Sequence, residues 1–96
     1  MAAVGWTRRA LNDLREISDF IARDSPQAAD ALVDRIFQTT DRLASFPESG
    51  RLVPELPDLG YRELLVGNYR VQYRIEGNIV WIATVVHGRR LLTDLP

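Results

Sequence analysis

The stretch that decides the fold is residues 61–87, YRELLVGNYRVQYRIEGNIVWIATVVH. It contains three segments rich in β-branched and aromatic residues, which are residues 61–66, 69–75 and 79–87. The pairs between them, Gly67-Asn68 and Gly77-Asn78, place glycine first, as a two-residue type II′ turn requires. The pattern therefore predicts three consecutive antiparallel strands joined by tight hairpins.

Two-residue turns also determine the register of these strands. The first hairpin is predicted to pair Val66 with Tyr69, Leu64 with Val71 and Arg62 with Tyr73. The second hairpin is predicted to pair Ile75 with Val80, Tyr73 with Ile82 and Val71 with Thr84. That face is apolar, so we expect helices to cover it. Alternation places on the other face Tyr61, Glu63, Leu65, Arg70, Gln72, Arg74, Trp81, Ala83, Val85 and His87. We expect this arginine-bearing face to be left uncovered.

Two amphipathic helices are predicted upstream of the sheet. Apolar residues recur every three or four positions over residues 8–23 and again over residues 26–45. Thr7 and Ser25 stand immediately before these stretches, where a hydroxyl side chain can cap a helix. The short connection makes the two helices antiparallel neighbours.

The remaining segments complete an α+β fold class, in which the helical hairpin packs on one face of an antiparallel sheet. Residues 2–6 are predicted to form a short strand before the first helix. Residues 46–60 carry three prolines and two glycines, which predicts an ordered, irregular loop.

Composition limits the classes of function. A chain of 96 residues with 46% hydrophobic residues fits a single domain spanning residues 1–96. With no cysteine and one histidine, we expect no metal site and no cofactor. The longest apolar run is too short to cross a bilayer, so we expect no membrane association and a cytoplasmic location. A net charge of −1 argues against a protein that binds mainly nucleic-acid phosphates.

Two groups of residues are candidates for function on the uncovered face. Trp81 is interpreted as an anchor for a partner, with Arg70 and Arg74 around it, because interface hot spots favour tryptophan and arginine. The alternative is that other parts of the chain cover Trp81 and that the arginines are solvated. At the end of the last strand, His87 precedes Arg89 and Arg90, and these residue types can supply a base and phosphate-stabilising charge for RNA cleavage.

The chain resembles the RelE/ParE superfamily of bacterial toxins. The resemblance rests on WTRRALNDLREISDFIARDSPQAA (6–29), FPESGRLVPEL (46–56), YRELLVGNYRVQYRI (61–75) and VVHGRR (85–90). It implies the order β-α-α-β-β-β and a type II toxin–antitoxin module of the kind linked to plasmid stabilisation and growth arrest. A cognate antitoxin is the implied partner, and a homodimer of the free toxin is a further expectation.

The superfamily contains two mechanisms. RelE-like members cleave messenger RNA on the ribosome, and the resemblance would give the catalytic roles to Arg70, His87, Arg89 and Arg90. ParE-like members inhibit DNA gyrase and need no catalytic set. Leu64 stands where RelE-like enzymes can carry a lysine, and the tail after Arg90 has no tyrosine.

These two departures favour the ParE-like interpretation. The endoribonuclease and a degenerate, non-toxic homologue are the alternatives, so whether the chain is an enzyme stays open. The predicted partner-binding residues are Tyr61, Arg70, Arg74, Trp81, His87, Arg89 and Arg90.

Overall fold

A five-stranded sheet carries two helices on one of its faces in the computed structural model, which describes residues 1–88. The elements are β1 (Ala3–Trp6), α1 (Arg8–Ala22), α2 (Pro26–Asp41) with a short 3-10 turn (Arg42–Ala44), β2 (Arg51–Leu52), β3 (Arg62–Val66), β4 (Tyr69–Glu76) and β5 (Ile79–His87). The predicted α+β class is confirmed. Arg89 and Arg90 lie outside the described residues.

The sheet has the strand order β1-β5-β4-β3-β2. All neighbouring pairs are antiparallel except β1 and β5, which run parallel, so the sheet is mixed. The two-residue strand β2 lies inside the stretch predicted to be irregular throughout, and it pairs Arg51 with Glu63 of β3. This pairing brings residues 46–60, here called the proline-rich loop, to the edge of the sheet.

Both helices begin where the sequence predicts. The Thr7 hydroxyl accepts a hydrogen bond from the Ala10 amide, and the Ser25 hydroxyl accepts one from the Ala28 amide, each at 3.1 Å. These bonds satisfy amides that have no partner within the first turn of a helix. In the part of the chain that the structure describes, no helix is both long and apolar enough to cross a membrane.

The two hairpin turns are as predicted. Gly67 and Gly77 both have φ of 57°, a left-handed value that glycine adopts without a steric penalty. The predicted pairing of β3 with β4 is confirmed in full, and that of β4 with β5 is confirmed at Ile75–Val80 and Tyr73–Ile82.

A β-bulge changes the register in the last part of β5. The pairing shifts between Gln72 and Tyr73, so Val71 faces Val85 and not Thr84, and the predicted Val71–Thr84 pair is wrong. One extra residue on β5 turns every later side chain to the opposite face. Val85 therefore packs in the main core beneath α1, and His87 lies opposite Tyr69 on the same helix-covered face. The predicted places of Val85 and His87 on the uncovered face are also wrong.

Asp13 of α1 accepts hydrogen bonds from two groups beside the bulge. Its carboxylate accepts a hydrogen bond from the Thr84 hydroxyl and another from the Val85 amide, the latter at 3.2 Å. A bulge removes regular ladder bonds, so a helix side chain that replaces them also attaches α1 to β5.

The chain has apolar clusters on both faces of the sheet. The larger one lies between the helices and the sheet and includes Leu14, Ile36, Val71, Tyr73 and Ile82. The smaller one joins Val53, Tyr61, Ala83 and Val86, with Leu56 packed against it. Since Val53 and Leu56 belong to the proline-rich loop, this loop covers part of the face that we expected to be uncovered.

Candidate functional site

A cluster of charged side chains lies beneath the proline-rich loop, centred on Arg70 of β4. Its Nη1 and Nη2 atoms donate hydrogen bonds to Oε2 and Oε1 of Glu55 at 2.7 and 2.8 Å. Its Nε atom donates to Oε1 of Glu63 on β3 at 2.7 Å. All three nitrogens of the guanidinium group are therefore bonded to carboxylates, and Glu55 is held in the two-pronged geometry that arginine favours.

Glu63 is the buried centre of this cluster. Its side chain is 0% exposed and that of Arg70 is 7% exposed. Arg51 donates to its Oε2 at 2.7 Å, and the Gln72 amide donates to its Oε1 at 3.0 Å. Strand register brings these residues together, because Glu63 is opposite Arg51 on one side and Gln72 on the other. Buried charges persist only with such complete pairing.

The hydrogen bonds of the cluster favour the charged forms of Glu55, Glu63 and Arg70. The hydrogen bonds from Arg70 hold the pKa of Glu55 at about 2, well below its usual value of 4.5. Burial acts to raise the pKa of Glu63, but hydrogen bonds from Arg70, Gln72 and Arg51 outweigh burial and lower it. The bonds to Glu55 and then Glu63 raise the pKa of Arg70. Two positive and two negative charges cancel within the cluster.

This pairing predicts how stability responds to acid. A carboxylate with a lowered pKa in the folded chain adds stability that is complete above the unfolded pKa and is lost as the pH falls through the folded one. For Glu55 that window runs from 4.5 down to about 2. We expect Glu55→Gln to flatten the fall of the thermal midpoint between these pH values. The exposed Asp58→Asn is the control, and an equally steep fall in Glu55→Gln would contradict the assignment.

A groove of about 460 Å³ opens beside the cluster, where the β3–β4 turn meets the end of β5. Its lining residues are Arg51, Pro54, Glu55, Leu65, Gly67, Asn68, Tyr69, Arg70, His87 and Gly88. His87 is exposed, and its ring contacts Tyr69 edge-on with 5.6 Å between the centroids. Within residues 1–88, no three histidine, cysteine or acidic side chains come together to hold a metal ion.

A second groove, of about 260 Å³, runs between α1 and the end of β5. It is lined by Asp13, Glu16, Ile17, Phe20, Tyr69, Val85, Val86 and His87. Phe20 is 65% exposed and presents its apolar ring to this groove. Tyr69 and His87 line both grooves, so the two form a continuous surface around the end of β5. The second groove combines apolar walls with two carboxylates.

The structure does not bring the predicted site residues together on one open face. Tyr61 and Arg70 are only 7% and 6% exposed, so their predicted exposure is wrong. The reason is the loop, which packs Val53 and Leu56 on Tyr61 and pairs Glu55 with Arg70.

Arg74, Trp81 and His87 remain at least partly exposed. Arg74 is partly exposed and paired with Glu76 at 2.6 Å. Trp81 is also partly exposed, and its ring covers Gly5 so closely that a β-carbon there would lie 2.6 Å from it. His87 is exposed, and Arg89 and Arg90 lie outside the described residues.

Three members of the site were missed by the sequence interpretation. Glu55, Arg51 and Asp13 are charged residues of a loop, an edge strand and a helix, and nothing in their local pattern assigns them a partner. Glu63 and Arg70 were placed correctly on the same face. A glutamate and an arginine on one predicted sheet face are the signal from which an ion pair could have been inferred.

Comparisons with known proteins find similar sequences. A family model described as the ParE toxin of the type II toxin–antitoxin system parDE matches residues 4–92. Toxin RelE2 of Caulobacter vibrioides is 40% identical over 92 residues, which cover 95% of this chain and 100% of that protein.

Two solved structures are similar in fold. A chain of the chromosomal ParDE system of P. aeruginosa aligns with a TM-score of 0.75 and 24% identity, covering 91% of this chain and 96% of that one. A chain of the RelBE2 toxin–antitoxin complex of Mycobacterium tuberculosis aligns with a TM-score of 0.57 and 28% identity, covering 90% and 96%.

Proposed function

Because this chain belongs to the ParE toxin family of type II toxin–antitoxin systems, we propose that it arrests growth by binding DNA gyrase. A cognate antitoxin neutralises it. The chain acts through surface contacts, and no residue of it carries out a covalent step on nucleic acid.

The state of Arg70 is the observation that carries the proposal. A nuclease acting through a 2′-hydroxyl needs cationic donors directed at the phosphate where charge develops. Here all three nitrogens of the guanidinium group donate to Glu55 and Glu63. Arg51, the second arginine of the groove, also donates to Glu63. Arg70 therefore acts as a structural residue that attaches the loop to the sheet.

The groove beside α1 suits an antitoxin segment. Phe20, which lines this groove, is 65% exposed, and Asp13 and Glu16 add negative charge to the groove wall. An amphipathic segment with apolar anchors and flanking lysine or arginine complements such a surface. His87, at the end of this groove, is proposed as a contact residue. Arg74 and Trp81 are proposed as contacts on the opposite face of the sheet.

The second candidate function is a ribosome-dependent endoribonuclease. It is favoured by the 40% identical relative that bears the name toxin RelE2, and by the exposed imidazole of His87 at the groove. In this alternative His87 is the base, and Arg70 must first leave Glu55 to reach a phosphate. Because these Arg70–Glu55 bonds would have to break first, we rank the endoribonuclease below gyrase binding.

Inducing the chain in cells without an antitoxin separates the two functions. We expect growth arrest with an early DNA-damage response, measured with a reporter, while incorporation of labelled amino acid continues over the same minutes. An immediate fall in protein synthesis without a damage response would favour the endoribonuclease. Continued growth would contradict both and indicate a degenerate, non-toxic homologue.

A further inference from the structure

We propose that Arg70 forms a phosphate-binding site whose ligand position is occupied by the chain's own Glu55. In the folded protein, the Glu55 carboxylate thereby excludes phosphate groups from the groove at the end of β5. The proposal concerns the isolated chain and does not depend on gyrase being the target.

The geometry of the pair is that of an arginine holding an anion. Nη1 and Nη2 of Arg70 meet the two oxygens of Glu55 at 2.7 and 2.8 Å, in parallel. A guanidinium group recognises carboxylate and phosphate through this same fork of two donors. The fork is also fixed in direction, because the Nε atom of Arg70 is bonded to the fully buried Glu63.

The pair lies at the wall of an open space. Arg70 and Glu55 both line the groove of about 460 Å³, together with Arg51 and His87. The side chain of Glu55 is 35% exposed and that of Arg70 only 7%, so the carboxylate lies between the arginine and solvent. Without the carboxylate, two guanidinium nitrogens would face a space large enough for a phosphate group.

The loop does not depend on Glu55 alone for its position. Val53 is fully buried, and its amide donates to the Tyr61 carbonyl at 2.9 Å, while Leu56 packs on the same cluster. Removal of the Glu55 carboxylate should therefore leave the loop in place. It changes the charge of the cluster from zero to +1, and the freed donors then attract an anion.

Phosphate titration of Glu55→Ala tests the proposal. His87 is the only histidine of the chain and lines the groove, so its ring signals in NMR spectra report binding at one place. At constant pH and ionic strength, we expect inorganic phosphate to bind Glu55→Ala about tenfold more tightly than the wild type, or better. A dinucleoside monophosphate, titrated in parallel, shows whether the site also accepts a backbone phosphate.

Glu48→Ala is the matched control, because it removes the same charge from an exposed position outside this groove. Equal phosphate affinity in the wild type and Glu55→Ala would overturn the proposal, and so would a Glu55→Ala affinity no higher than that of Glu48→Ala. If Glu55→Ala does not fold, the phosphate affinities of Glu55→Gln and Glu48→Gln are compared instead, and an affinity of Glu55→Gln no higher than that of Glu48→Gln overturns the proposal. None of these outcomes bears on gyrase inhibition by the wild type.

Discussion

Replacing Arg70 with alanine is expected to lower the free energy of unfolding by about 3–5 kcal/mol. The substitution removes the charged donor 2.7 Å from Oε1 of Glu63, whose side chain is 0% exposed, and leaves only the neutral Gln72 amide at that oxygen. It also releases Glu55, and with it one of the contacts that hold the proline-rich loop on the sheet. Unfolding in urea, followed by circular dichroism, measures this loss.

Arg74→Ala is the matched control for this prediction. Arg74 lies on the same strand and is paired with Glu76, but its side chain is 36% exposed, so the pair contributes about 0–1 kcal/mol. A loss of less than about 1 kcal/mol in Arg70→Ala would show that the buried cluster does not stabilise the fold. The prediction also means that a loss of toxicity in Arg70→Ala is not by itself evidence of catalysis, because the substitution is expected to destabilise the fold.

Gly50→Ala is expected to have the second largest effect, a loss of about 3 kcal/mol. A β-carbon at this position would lie 2.6 Å from the Tyr73 hydroxyl oxygen and 2.7 Å from the Glu63 carbonyl oxygen. The Tyr73 hydroxyl cannot move away freely, because it accepts a hydrogen bond from the Gly50 amide at 2.8 Å and donates one to the Pro47 carbonyl at 2.7 Å. The added methyl group must therefore displace the loop from β3.

The neighbouring Ser49→Ala provides the control, since Ser49 is exposed and its substitution should change stability by less than about 0.5 kcal/mol. Thermal unfolding of the two variants side by side gives the comparison. Equal midpoints would mean that the loop near Gly50 adjusts without cost and that Tyr73 does not fix its position.

Local sequence signals were sufficient for most of the fold. Gly67 and Gly77 begin two tight turns, and each turn fixes the pairing of the strands beside it. Thr7 and Ser25 mark the helix starts, because each caps its helix by a hydrogen bond to an amide three residues along the chain. The parallel pairing of β1 with β5 was not predicted, because it joins residues more than seventy positions apart and no short-range pattern specifies it.

The β-bulge is the clearest error, and its cause is non-local. The side chains of a strand alternate between the two faces until a bulge inserts an extra residue. Here Asp13, on a helix distant in sequence, accepts hydrogen bonds from Thr84 and Val85 beside the bulge and so stabilises it. Val85 and His87 were consequently assigned to the wrong face. Alternation predicts the face of a residue only as far as the first irregularity in the ladder.

The candidate site was predicted only in part, because its shape also depends on contacts between distant parts of the chain. Arg70 and Glu63 were placed on one face by alternation, but whether that face is open depends on where the loop of residues 46–60 lies. Val53, Leu56 and Glu55 determine this through contacts with the sheet, which the loop sequence alone does not specify. The face predicted to be open is consequently closed at Tyr61, Glu63, Arg70 and Gln72, where the charged side chains are paired.

The most direct test of the central claim is supercoiling by purified DNA gyrase in the presence of the purified chain. We expect inhibition at micromolar excess with accumulation of cleaved DNA, no effect on relaxation by topoisomerase I, and intact message on programmed ribosomes incubated with the same preparation. Cleavage of that message together with unimpaired supercoiling would contradict the account and would assign the chain to the endoribonucleases.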